Sequence, residues 1–166
     1  MGAVQQHFQQ HGKKWAGAGV GICCSFLVVW EGFAPRAVHE RVDPPGVITW
    51  CFGRTNYDDP TVKAGTKFTK AECEKLLDED LPKYAAPVQQ CIPSFDTLKP
   101  NVQAALVSFA YNLGPGTLCK SAVARYVNQG KIAKACNAMM PYVRANGVVL
   151  QGLVNRRNAE RKLCLQ

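Results

Sequence analysis

Residues 26–53 read FLVVWEGFAPRAVHERVDPPGVITWCFG, and this stretch decides the fold. An apolar run ends at Glu31, and the composition then turns to Gly, Pro and β-branched residues. Residues 47–53 (VITWCFG) predict a strand, because β-branched and aromatic side chains fit a pleated, half-buried surface. The Pro44-Pro45-Gly46 turn stands just before it, and residues 56–60 (NYDDP) make a second loop. Up to Lys67 the text therefore predicts a small antiparallel sheet.

Downstream the period changes. Thr69-Lys70-Ala71-Glu72 has the form of a capping box, in which the Thr hydroxyl and the Glu carboxylate each satisfy a free backbone N–H, with Phe68 placed as a hydrophobic staple. A helix follows through residues 73–81, and Pro82 starts or kinks the next segment. Residues 101–114 read as an apolar helix capped by Gly114, and 118–130 as one helix closed by Gly130. Residues 131–143 form a helix interrupted by Pro141, and 152–165 a basic amphipathic last helix. Their apolar positions, Met139 and Met140 included, read as core. The expected class is α+β. The expected division is an N-terminal apolar segment (1–30) and one domain (31–166), made of a β lobe (31–67) and a helical lobe (68–166).

The chain has 166 residues, 47% apolar and 19% charged, which supports a packed globular body rather than disorder. The formal charge is +8, unevenly spread. Nine basic residues and one acid (Glu160) lie between Lys120 and Lys162, whereas the other eleven acids lie between Glu31 and Asp96. A basic C-terminal half suits a polyanionic partner: nucleic acid, an anionic membrane or a bacterial wall. Eight cysteines without a CxxC pair, beside three histidines, argue against a zinc site. Six of them are spread through the body, as disulfides are in an exported protein, the other reading being buried thiols.

Upstream, residues 15–30 (WAGAGVGICCSFLVVW) carry no charge and follow Lys13 and Lys14. A spanning helix wants about 20 apolar residues, so the run is short. It reads as a weak, releasable membrane anchor, as the first helix of a soluble domain, or as a signal peptide. The last lacks a small-residue cleavage site before Glu31.

Hydrolysis of a glycosidic bond needs a protonated carboxyl for the leaving oxygen and, across the bond, a second group that carries or activates the attacking species. Glu31 follows five apolar residues, and such surroundings disfavour the charged form, as a general acid requires. Asp43 stands in a Pro/Gly turn, where it is expected to stay ionised, and Thr49 offers a hydroxyl to a water. Glu31-Gly32-Phe33, the run from Asp43-Pro44-Pro45-Gly46 to Thr49, and Cys51-Phe52-Gly53 resemble the active-site region of tailed-phage lysozymes (glycoside hydrolase family 24). Residues 105–114 (ALVSFAYNLG) and 152–160 (GLVNRRNAE) extend the resemblance from about Gly21 to the C-terminus.

The resemblance implies a lysozyme-like fold, a small β lobe and a helical lobe with a cleft between them. The implied enzyme is a muramidase that cuts the β-1,4 bond after N-acetylmuramic acid, without metal or cofactor. Glu31 takes the acid role, Asp43 the second carboxylate role and Thr49 the water, and Asn112 falls where the family touches sugar. The family has eight residues between its Glu and Asp, whereas eleven stand between Glu31 and Asp43. Glu40 keeps the shorter gap and competes, but the downstream Asp-Pro-x-Gly-x-x-Thr pattern favours Asp43.

The implied partners are bacterial peptidoglycan and, through residues 15–30, the host inner membrane. Nucleic acid is not implied, and the chain is expected to be a monomer. The implied site of action is the host periplasm or envelope, first tethered, in the manner of signal-anchor-release endolysins. In that type a released cysteine rearranges disulfides, so Cys23 or Cys24 is an expected partner of Cys51. Cys119 with Cys136, on successive helices, is the expected structural bridge. Two rivals remain: a non-catalytic wall-binding protein on the same scaffold, and a basic protein that disrupts membranes through its last helix.

Overall fold

The computed structural model describes residue 15, residues 17–39 and residues 44–166. These fall into two compact units, Cys24–Asp80 on one side and Met1–Cys23 with Leu81–Gln166 on the other. Helix α1 (Ala18–Trp30) and helix α2 (Lys70–Cys91) each run through a boundary between them. The α+β expectation holds.

In the Cys24–Asp80 unit, β1 (Ala34–Val38), β2 (Thr49–Cys51) and β3 (Arg54–Thr55) form an antiparallel sheet in the order β1-β2-β3. The strand expected at 47–53 is thus shortened to its centre. Val47 and Ile48 are spent on the preceding turn, where Val47 N–H donates to Pro44 O (3.1 Å), and the Phe52-Gly53 turn follows. The β1–β2 register slips between Ala34↔Cys51 and Val38↔Thr49, a bulge beside Pro35, which has no N–H for a ladder. The far edge of β1 is paired with residues 65–68, through Ala37 N–H to Thr66 O and Phe68 N–H to Pro35 O (2.8 Å each). Trp50 is buried and stacks on Phe68 at 6.0 Å, while Phe33 and Phe52 meet at 5.9 Å. A Cys51–Cys73 disulfide and an Arg54–Asp80 ion pair (3.4 Å) fasten the β2–β3 hairpin to α2. The capping box forms as read: Thr69 N–H and Oγ1 both donate to Glu72, and Glu72 N–H returns a bond to Thr69 Oγ1.

Pro82 does not interrupt α2, which continues through it and through Pro87. Leu81, Ala85, Val88 and Ile92 form one fully buried stripe across both prolines. Burial of that stripe outweighs the roughly 3 kcal/mol that an interior proline costs a helix.

The other unit is built around α3 (Pro100–Leu113), buried on nearly every side from Val102 to Ala110. Gly114, at φ +85°, ends it. The single helix expected at 118–130 is two, α4 (Pro115–Lys120) and α5 (Ala122–Asn128). Ser121 divides them because its hydroxyl accepts the N–H groups of Val123 and Ala124 (3.1 and 3.4 Å) and so caps a new helix. Helix α6 (Ile132–Asn137) ends short of Pro141, and α7 (Gln151–Cys164) closes the chain. Between them lies a hairpin of β4 (Arg144–Ala145) and β5 (Val148–Val149). Its turn is Asn146-Gly147, both at positive φ, a hairpin signal the sequence reading passed over. Met139 is core as expected, and Met140 is partly buried.

The expected Cys119–Cys136 bridge is replaced by two others, Cys91–Cys119 and Cys136–Cys164. Each joins residues 28 apart in sequence, with Cα atoms 5.6 and 5.7 Å apart, well within disulfide reach. Successive helices in sequence are therefore not the pairs that the packing brings together.

At the N-terminal side of this unit Trp15 donates its indole N–H to Gln103 Oε1 (3.1 Å) and meets Phe95 edge-on. Gly19 is where α1 needs the space: an added Cβ would lie 2.6 Å from Gln103 Oε1. Although α1 is apolar all round, it buries only a narrow stripe, Gly19, Cys23 and Leu27, and Val29 is 75% exposed. Among the described residues no helix is long and apolar enough to cross a membrane.

Candidate active site

Glu31 closes α1. Its N–H donates to Leu27 O (2.8 Å), and Gly32 at φ +73° turns the chain toward β1. That left-handed step favours glycine and explains the Glu-Gly pair physically. Glu31 is half-buried, and its Oε1 is withdrawn from solvent.

Thr49 is the first residue of β2, opposite Val38 on one side and Thr55 on the other. Alternation along the strand sends Trp50 to the opposite face, into the core. Glu31 and Thr49 therefore belong to one unit, three residues before β1 and at the β1–β2 ladder respectively. Asp43 and Glu40 lie outside the described residues.

The flanks of that segment are fixed by two side chains that sequence reasoning left without a role. His39 donates Nδ1–H to Val47 O (2.8 Å), which also sets its tautomer. Asn56 accepts from Ile48 N–H (3.1 Å) and donates to Gly46 O (3.1 Å), bracing the Pro44-Pro45-Gly46 turn against β3. The only cue to Asn56 was its place in a polar loop. Nothing local marked His39.

Asn112 lies in the other unit, in the last turn of α3, half-buried. Its Oδ1 accepts from Arg157 Nη2. Behind it is a buried polar cluster. Glu160 accepts from Ser108 Oγ (2.7 Å) and Arg156 Nε (3.1 Å), and its other oxygen takes Arg157 Nη1. The Arg157 guanidinium lies 4.9 Å from the centre of the Phe109 ring. Burial pushes the Glu160 carboxyl above its ordinary value, and Arg157, Arg156 and Ser108 act against that push. The last helix, read from sequence as basic and amphipathic, buries Arg156, Arg157 and Glu160 completely or nearly so. Their i, i+3 and i, i+4 spacing was the available signal.

The same unit has an open groove of about 590 Å³, lined by Tyr126, Lys134, Asn137, Pro141 and Tyr142 among others. Arg161 Nε donates to Asn137 Oδ1 (2.5 Å), and Arg125 lies 5.3 Å from the Tyr126 ring centre. Among the described residues no cluster of three His, Cys, Asp or Glu side chains is arranged to hold a metal.

Cys51 is joined to Cys73 in this structure, and neither Cys23 nor Cys24 belongs to the three disulfides, so the pairing expected after release is not the one formed here. Burial, with Asp78 and Glu74 nearby, pushes the Cys24 thiol up to about 11. It holds little thiolate at neutral pH, and the thiolate is the species that exchanges.

Known proteins resemble this chain in sequence and in fold. A SAR-endolysin of Pseudomonas phage phiKMV is 37% identical over 158 residues, covering 93% of this chain and 92% of that protein. A SAR-endolysin of bacteriophage PS119 is 37% identical over 123 residues, covering 74% of this chain and 71% of that protein. The muramidase domain of SpmX from Asticaccaulis excentricus superposes with a TM-score of 0.74 at 30% identity, covering 94% of this chain and 99% of that domain. Three disulfides and such relatives fit action in an oxidising bacterial envelope. Residues 28–160 match the Phage lysozyme family model, a span that holds Glu31, Thr49, Asn112 and the buried Arg157–Glu160 pair, and the chain belongs to that family.

Proposed function

We propose that Glu31, Asp43 and Thr49 carry the chemistry of this muramidase. The enzyme is a glycoside hydrolase that acts on bacterial peptidoglycan, at the β-1,4 bond between N-acetylmuramic acid and N-acetylglucosamine. Glu31 gives its proton to the leaving glycosidic oxygen. Asp43 is the second carboxylate, in preference to Glu40, and Thr49 holds the attacking water through its hydroxyl. Asn112 contacts the glycan. The observation that carries this reading is Glu31 itself. It lies inside the family match, is held by the last helical bond of α1, and has Oε1 removed from water. The bonds of His39 and Asn56 hold the chain on both sides of the segment that carries both Asp43 and Glu40.

The catalytic domain spans 31–166, and residues 15–30 act as a weak tether to the inner membrane before release into the periplasm, where the chain works as a monomer. The uncharged helix α1, with Val29 exposed, supports the tether. The test of the reaction is the new end it creates. Digested peptidoglycan, reduced with borohydride and analysed by mass spectrometry, should yield N-acetylmuramitol. N-acetylglucosaminitol, or an anhydro end that resists reduction, would contradict the assignment.

A further inference from the structure

The buried cluster between α3 and α7 does more than neutralise charge. Glu160 gives Arg157 a counter-ion through Nη1. The other arm of the guanidinium, Nη2, reaches past it to Asn112 Oδ1, in the half-buried last turn of α3. A guanidinium has donors and no acceptor, so only the amide's oxygen can face it. The Asn112 amide is thereby fixed in one of its two flipped states, and its Nδ2–H₂ group lies on the side away from Arg157.

We propose that Arg157 is a positioning residue for substrate. It holds the Asn112 amide with its N–H donors outward, so that Asn112 offers a donor to an acetamido carbonyl or hydroxyl oxygen of the glycan. This rests on the reading of Asn112 as a glycan contact. The support is rigid. Arg157, Glu160 and Ser108 are fully buried, Ser108 stands one helical turn before Asn112, and Phe109 packs against the guanidinium face. Such a shell fixes an amide more tightly than surface hydrogen bonds do. It also selects the chemistry: an aspartate at 112 would satisfy Arg157 equally well yet turn an acceptor toward the glycan.

The experiment uses the full chain and soluble, uncrosslinked glycan fragments of peptidoglycan, and reads KM, kcat and thermal midpoint separately. Asn112→Ala and Asn112→Asp should each raise KM about tenfold with kcat nearly kept, the size of one uncharged hydrogen bond. Arg157→Lys keeps the charge but cannot bridge Glu160 and Asn112 together, so it should raise KM similarly. In the Asn112→Ala background it should add nothing to KM. A purely structural role for Arg157 would lower the thermal midpoint and leave KM alone in both backgrounds. If Asn112→Ala raises KM but Arg157→Lys does not, or if the two effects add in full, the positioning role is overturned while the glycan contact stands. Should Arg157→Lys fail to fold, Asn112→Asp decides: wild-type KM there refutes an outward N–H. An unchanged KM in Asn112→Ala removes the glycan contact and the proposal with it.

Discussion

Removing disulfides one at a time should expose how much of this fold they hold. Cys51–Cys73 closes 22 residues, and Cys91–Cys119 and Cys136–Cys164 close 28 each. The loop-entropy relation gives about 3.4 kcal/mol for the first and about 3.6 kcal/mol for each of the others. The three loops follow one another without overlap, so their effects on the unfolded chain should be nearly independent, together about 11 kcal/mol. A domain is usually stable by only about 5–15 kcal/mol, so the fully reduced chain should sit at the edge of unfolding. The assay is urea unfolding followed by far-ultraviolet circular dichroism, comparing the parent with C51A/C73A, C91A/C119A and C136A/C164A. With a urea slope of about 2 kcal/mol/M, each pair should lower the midpoint by roughly 1.7 M. The variant lacking all six cysteines should be largely unfolded at 37 °C. Midpoint shifts under about 0.3 M would refute the reasoning. They would mean that core packing carries the stability and that a reducing compartment leaves the enzyme folded.

Other perturbations have equally definite outcomes. Glu160→Ala leaves Arg156 and Arg157 buried without their counter-charge and should cost about 3–5 kcal/mol in calorimetric unfolding, far more than loss of the exposed Lys70–Glu74 pair. Thr49→Val keeps the shape of β2 but removes the hydroxyl, and should cut kcat roughly a hundredfold while Thr49→Ser stays near the parent, as turnover assays will show. Asp43→Asn should impair turnover more than Glu40→Gln, and the reverse order would reassign the second carboxylate. Glu72 is held below its ordinary value by the backbone N–H and hydroxyl of Thr69. A lowered folded-state value stabilises above the ordinary value of 4.5, and that contribution is lost as pH falls through the lowered one. Thr69→Val should therefore flatten the acid limb of a stability profile as pH falls below the ordinary value of 4.5.

What the sequence made legible follows from how local each signal is. The Thr69–Glu72 box and the Gly114 cap are decided within one helical turn, and both form as read. Pro82 misled because its local penalty is overridden by the buried stripe on both sides of it, which depends on tertiary contacts. Ser121 looked like one more residue in a helical pattern, because the capping role of its hydroxyl depends on where the preceding turn stops. Cysteine pairing is set by which helices pack, and adjacency in the chain pointed to the wrong partners. At the site, Glu31 and Thr49 were marked by motif spacing. His39, Asn56 and the inward turn of Arg157 needed three-dimensional neighbours to acquire meaning.

The most direct test of the account is turnover by Glu31→Gln. The amide keeps the size and the α1 terminus but has no acidic proton to give. Purified peptidoglycan incubated with this variant should release reducing ends at least about a thousandfold more slowly than with the parent, at an unchanged urea midpoint. Parent-like release by the folded variant would show that the proton comes from another group.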